Sequence, residues 1–136
     1  DKNYALEEGE MSQKIQILIA SENEAFRQVV AKFMTLLPEA EVVGLVNTCF
    51  IDANWLGPVP APHIVLVDLT KTALTAIRHI RQALPQTGIF VLSITDLDIY
   101  RSAALQAGAD KVLSNTNLNI DLLQEIKEFH AVQFPT

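Results

Sequence analysis

Five short apolar segments recur along the chain from residue 14 onward, and they predict β-strands. The three strongest cover residues 15–20, 64–67 and 89–94, and two weaker ones cover residues 41–46 and 111–113. These segments are rich in β-branched residues and apolar on both faces, which is typical of parallel strands buried inside a sheet.

Between the strands lie segments whose apolar residues recur at steps of three and four, the spacing of a helix that covers a sheet. They span residues 22–37, 72–84, 97–107 and 118–132. Residues 48–62 are the exception, because their glycine and three prolines leave room only for a short helix around residues 51–56. This alternation predicts an α/β, flavodoxin-like (βα)5 doubly wound sandwich with the parallel strand order 2-1-3-4-5.

The first ten residues differ from the rest of the chain. They are polar and acidic and have no period, and Met11 follows them. We expect residues 1–10 to be a disordered leader or an expression tag, or equally a native flexible arm, and residues 11–136 to form the domain.

Composition narrows the class of protein. The chain has 136 residues, 49% of them hydrophobic and 19% charged, which permits one well-packed core. Ten basic against 16 acidic residues give a net charge of −6, which disfavours direct binding of nucleic acid or an anionic membrane. A single cysteine, no apolar run long enough for a membrane span and no secretion signal lead us to expect a cytoplasmic protein.

Chemistry is expected beyond the carboxyl ends of the strands, where open parallel sheets bind ligands. Glu22, Asp68 and Ser93 follow or end three strands that this order makes neighbours, so they should converge. Asp68 follows four apolar residues, where a carboxylate is costly unless it is hydrogen-bonded, metal-bound or solvated. Two nearby carboxylates would suit Mg²⁺.

Simpler interpretations of these acidic residues remain open. Asp68 could cap the following helix or accept a structural hydrogen bond, and Glu22 could be an exposed first-turn glutamate. Ser21 could cap the first helix.

Four motifs carry a family resemblance. ILIASE (17–22), PHIVLVDL (62–69), VLSITD (91–96) and AGADKVL (107–113) resemble the successive motifs of bacterial response-regulator receiver domains. The resemblance covers residues 14–130.

This resemblance implies roles for four residues. Asp68 matches the phospho-accepting aspartate, and Ser93 matches the hydroxyl residue that hydrogen-bonds the phosphoryl group and switches rotamer. Glu22 matches the second acid of the metal-binding pair, and the backbone carbonyl of Thr70 matches a further Mg²⁺ ligand.

Three positions depart from the family pattern. Ser21 replaces the first acid of the pair, Asn115 replaces a lysine that contacts the phosphoryl oxygens, and Val112 replaces a common aromatic switch residue. Fewer negative and positive charges around a transferring phosphoryl group weaken both Mg²⁺ binding and transfer. We therefore expect Mg²⁺ binding to be weak or absent.

The resemblance implies a signalling protein rather than an enzyme. A histidine kinase or another signalling protein would phosphorylate Asp68. The change would reach the face formed by the fourth helix (residues 97–107), the fifth strand and the fifth helix (residues 118–132). The same face could also form a homodimer. Candidate residues on that face are Ile99, Tyr100, Leu105 and Phe129. A DNA-binding output domain of the kind that often follows such receivers is not present in these residues.

Two other functions are compatible with this sequence. The alternative is a phosphorylation-independent pseudo-receiver that acts as a protein–protein interaction module. A small enzyme or ligand binder on the same fold is weaker, because the loop SENEAF has no glycine to cradle a phosphate.

The remaining reactive side chains point to no further chemistry. His63, His79 and His130 show no metal-ligand spacing, and we expect unrelated surface or structural histidines. Cys49 is expected to be buried, and Trp55 is expected to pin the proline-rich segment.

Overall fold

Five parallel strands form one sheet in the computed structural model, which describes residues 14–93, 98–114 and 120–135. Their order is β2-β1-β3-β4-β5, which confirms the predicted fold class. The strands are β1 (Ile15–Ala20), β2 (Ala40–Val46), β3 (Ile64–Asp68), β4 (Gly88–Ser93) and β5 (Lys111–Ser114).

Within these described ranges, four α-helices cover the two faces of the sheet. They are α1 (Glu24–Met34), α2 (Ala73–Ala83), α3 (Asp98–Ala107) and α4 (Ile120–Gln133). The apolar residues of α2 and α3 share one core cluster with one face of the strands, and those of α1 and α4 share a second cluster with the other face. β1, β3 and β4 are almost entirely buried, as their uninterrupted apolar runs predicted.

The second crossover contains no α-helix. A 3₁₀ helix at Thr48–Phe50, capped by the Asn47 side chain, is followed by irregular backbone through residue 63. The helix expected at residues 51–56 is therefore wrong, because the 3₁₀ turn ends before it and the glycine and prolines that follow do not sustain a helix. Trp55 packs against the core, which confirms its role as the anchor of this segment.

The predicted leader at residues 1–10, with Met11, and Asn115 lie outside the described residues. No helix in the described ranges combines the length and the apolar character needed to cross a membrane.

Arg81 ties the end of α2 to the loop before β5. Its guanidinium donates to the carbonyl of Gly108 at 2.9 and 3.2 Å, to the carbonyl of Thr87 at 2.7 Å and to Asp110 at 2.7 Å. The same Asp110 oxygen accepts the backbone N–H of Ile89 at 2.8 Å. One partly buried cation thus satisfies main-chain carbonyls in the loop before β4 and in the loop before β5.

Replacing Arg81 is expected to destabilise the domain. We expect Arg81→Ala to lower the free energy of unfolding by about 2 kcal/mol, because several charge-assisted hydrogen bonds are lost together. Arg78→Ala, on an exposed position of the same helix, should change it by less than about 0.5 kcal/mol. Urea unfolding followed by circular dichroism measures both, and equal effects would contradict the role given to the Arg81 network.

Candidate functional site

The candidate site lies where β1, β3 and β4 end. In the parallel register Ala20 pairs with Val67, and Asp68 pairs with Leu92. Ser21, Asp68 and Ser93 therefore stand at the same edge of the sheet, each at or just past the carboxyl end of its strand. The topology thus brings together the strand ends on which the predicted site depends.

Ser21 and Asp68 are joined directly. The Ser21 hydroxyl donates to Asp68 Oδ2 at 2.9 Å and accepts the backbone N–H of Asn23 at 2.9 Å. Arg27 donates to the Ser21 carbonyl at 2.5 Å. The expected capping role of Ser21 is wrong, because Asn23 caps α1 by accepting the N–H groups of Ala25 and Phe26.

The carboxylate of Asp68 is half-buried, and its surroundings shift its pKa in opposite directions. Burial raises the pKa of Asp68 above its usual value, the hydrogen bond from Ser21 lowers it, and the charge of Glu22 raises it again. The net direction is upward. Glu22 therefore lies near enough for its charge to act on Asp68.

Glu22 itself is exposed and has a neighbour that the sequence did not indicate. The Cys49 thiol donates to Glu22 Oε2 at 3.6 Å. The expectation that Cys49 is buried is wrong: it lies on the exposed 3₁₀ turn after β2, which Asn47 fixes by accepting the Cys49 N–H.

Thr70 begins the turn that leads into α2. Its backbone carbonyl, the expected metal ligand, accepts the N–H of Ala73 at 3.1 Å. Its hydroxyl lies 3.4 Å from that of Thr72, which in turn lies 2.9 Å from the hydroxyl of Thr48. This hydroxyl chain joins the β3–α2 loop to the segment after β2.

The two remaining described positions of the predicted site lie in β4 and β5. Ser93 is 3% exposed at the end of β4. Val112 is buried in the core, and its carbonyl accepts a hydrogen bond from Arg101 of α3 at 3.0 Å.

The groups at this edge that could bind a divalent cation are oxygen donors. Within the described ranges, no three His, Cys, Asp or Glu side chains are grouped so as to hold a metal ion. Asp68 and Glu22 nevertheless form a pair of carboxylates whose mutual repulsion a cation would relieve, and the Thr70 carbonyl has a second lone pair. This all-oxygen set fits Mg²⁺ that keeps several waters.

The surface of α3 exposes large apolar side chains. Ile99 is 73% exposed, and Tyr100 and Leu105 are also exposed, as expected for an interaction face. Phe129, the fourth candidate, instead packs edge-to-face on Phe90 at 5.3 Å and contributes to the core.

At the opposite edge of the sheet, two histidines meet. The rings of His63 and His130 lie 4.6 Å apart, and both rings contact Phe134. His63 Nδ1 accepts the backbone N–H of Gln16 at 2.9 Å. Burial lowers the pKa of both histidines, and for His63 the charge of His130 lowers it further. The expectation that the histidines are unrelated is wrong for this pair, because the fold brings the start of β3 next to the end of α4.

A doubly wound parallel sheet with an aspartate at the end of its central strand is the arrangement to compare with known proteins. No protein-family model matches the chain. It is similar to a protein-glutamate methylesterase/protein-glutamine glutaminase of Rhodopseudomonas palustris, with 28% identity over 85% of this chain and 32% of that protein. It is also similar to the transcriptional regulatory protein DegU of Brevibacillus brevis, with 31% identity over 74% of this chain and 43% of that protein.

Solved structures share the fold. The RcsB response regulator of Salmonella typhimurium superposes with a TM-score of 0.73 at 18% identity, covering 88% of this chain and 60% of that chain. The response regulator domain of Thermotoga maritima CheB gives 0.70 at 17% identity, covering 85% and 95%. The chain therefore has the fold of response-regulator receiver domains, and it spans less than half the length of the curated relatives.

Removing the charge of Asp68 is expected to stabilise the domain at neutral pH. Because the pKa of Asp68 is higher in the folded than in the unfolded state, its ionisation costs stability above that pKa, and the cost disappears as the pH falls below the unfolded value. Asp68→Asn should therefore raise the urea midpoint at neutral pH, with a difference that shrinks on acidification. The exposed Asp52→Asn is the control, and a destabilised Asp68→Asn would contradict this account.

Acidification is expected to weaken the domain through the histidine pair. Because the folded pKa values of His63 and His130 lie below the unfolded value of 6.5, the unfolded state takes up protons first as the pH falls through 6.5. Between about pH 8 and about pH 5, His130→Phe should lose less stability than the unchanged chain, as measured by urea unfolding. If the stability of both proteins falls equally with pH, the histidine pair is not the cause of the loss.

Proposed function

We propose that this receiver domain acts in two-component signalling and accepts a phosphoryl group on Asp68. The observation that carries the proposal is the half-buried carboxylate at the end of the central strand β3. Ser21 donates a hydrogen bond to it, Glu22 acts on it by its charge, and the neighbouring strand β4 ends at Ser93. A histidine kinase is the proposed donor, which would make the domain a cytoplasmic protein. The methylesterase activity named for one relative is not part of the proposal, which includes no enzymatic turnover of a separate substrate.

The chemical step needs a nucleophilic oxygen and a phosphoryl donor. A carboxylate oxygen of Asp68 forms a bond to phosphorus while the bond between phosphorus and the donor breaks, and the donor leaves with the electron pair. The hydroxyl of Ser93 is proposed to donate a hydrogen bond to the transferred group. Glu22, Asp68 and the Thr70 carbonyl would hold Mg²⁺, which supplies positive charge for the phosphoryl oxygens when bound.

The output is proposed to pass through α3, β5 and α4. Arg101 of α3 already bonds the carbonyl of Val112 in β5, and Ile99 and Tyr100 are exposed beside it. This face is the proposed site of contact with a second copy or with a partner protein. One relative is named a transcriptional regulator, and a structural neighbour, RcsB, was solved on DNA, which supports a DNA-binding output domain in the whole protein.

A second candidate function is a pseudo-receiver that binds partners without phosphorylation. Two observations favour it: the Ser21 hydroxyl occupies Oδ2 of Asp68, and the Thr70 carbonyl already accepts a hydrogen bond from Ala73. Both features lower the affinity for a cation at this edge.

Phosphorylation is tested with acetyl phosphate and MgCl₂, and intact mass is the readout. We expect the protein to gain the mass of one phosphoryl group, Asp68→Asn to gain none, and Ser93→Ala to react about tenfold more slowly because one hydrogen bond to the transferred group is lost. Asp52→Asn, an exposed carboxylate control, should react normally.

The same measurement separates the two functions. No gain of mass by the unchanged chain would refute phosphorylation and leave the pseudo-receiver. A gain that persists in Asp68→Asn would place the modification elsewhere.

A further inference from the structure

The Ser21 hydroxyl has a fixed direction. Ser21 is fully buried, and its oxygen accepts the N–H of Asn23 at 2.9 Å while its proton is donated to Asp68 Oδ2 at 2.9 Å. Because the N–H of Asn23 occupies the lone-pair side of the oxygen, the hydroxyl hydrogen is directed at Asp68.

This direction opposes a cation. A metal ion on Oδ2 would meet the hydroxyl hydrogen and would require the buried hydroxyl to give up its acceptor. An acid at the same position would have the opposite effect, since it would offer a ligand oxygen in place of a proton.

Ser21 also supports Asp68 when no cation is bound. Glu22 acts on Asp68 with a like charge, and the Ser21 hydroxyl is a donor to the charged carboxylate. The carboxylate is thus held at the edge of the sheet by a neutral group of the chain itself.

We propose that Ser21 is a positioning residue that holds Asp68 by a hydrogen bond in competition with a divalent cation, and so sets a low Mg²⁺ affinity at this site. The proposal rests on the proposed function only for the use of Asp68 as acceptor. The competition itself concerns binding alone.

Calorimetric titration with MgCl₂ tests the competition. We expect Ser21→Ala to bind Mg²⁺ about tenfold more tightly than the unchanged chain, because Oδ2 is released from a hydrogen bond to a charged group. Ser21→Thr retains the hydroxyl and should bind as weakly as the unchanged chain. Ser21→Asp adds a ligand oxygen and should bind more tightly than Ser21→Ala.

A role of Ser21 as a metal ligand gives the reverse order. If Ser21→Ala binds Mg²⁺ as weakly as the unchanged chain or more weakly, the competition is refuted. Adding Glu22→Gln to Ser21→Ala should abolish the gain, and a gain that survives would place the cation elsewhere and overturn the proposal.

A structural readout covers the case of a variant that folds poorly. Side-chain couplings measured by NMR should show one Asp68 rotamer in the unchanged chain and rotamer averaging in Ser21→Ala, with circular dichroism confirming the fold. A single unchanged rotamer in Ser21→Ala would overturn the positioning role. Because none of these measurements uses a phosphoryl donor, a chain that never gains mass with acetyl phosphate refutes the proposed function without deciding the role of Ser21.

Discussion

The parallel register of β1, β3 and β4 is the constraint on which the site depends. It places the ends of three buried strands level with one another, so that the first polar residue after each apolar run lies beside the others. A carboxylate at the end of the central strand cannot reach open solvent freely, and it must be satisfied by what the neighbouring strands provide. In this chain the neighbour on the β1 side provides the hydroxyl of Ser21.

The fold and the position of Asp68 follow from the sequence because both depend on strong, local signals. Short apolar runs rich in β-branched residues are typical of strands buried on both faces of a sheet, and a charge that ends such a run is expected at the edge of the sheet. Ser93 follows from topology alone, because the strand order places β4 beside β3.

The role of Ser21 could not be predicted, since the hydroxyl of a serine before a helix can bond either to the helix backbone or to another part of the chain. It can cap the helix or bond outward, and the sequence also offers Asn23 as a cap. The choice is made by the tertiary neighbour Asp68, which local patterns do not reveal. The prediction that Cys49 is buried was wrong for a related reason. A small thiol is usually buried, but this one lies on the exposed 3₁₀ turn that the Asn47 side chain caps. The contact of His63 with His130 joins distant parts of the chain at the amino edge of the sheet and leaves no local pattern.

The departures from the receiver pattern act together rather than separately. Each group that a cation would use already has a protein partner on one of its oxygens: Oδ2 of Asp68 has the Ser21 hydroxyl, the Thr70 carbonyl has the N–H of Ala73, and Oε2 of Glu22 has the Cys49 thiol. A cation must therefore displace or share these bonds, and its net affinity is the difference between its own attraction and theirs. We therefore expect the response of this edge to Mg²⁺ to depend on how many of these partners a variant removes.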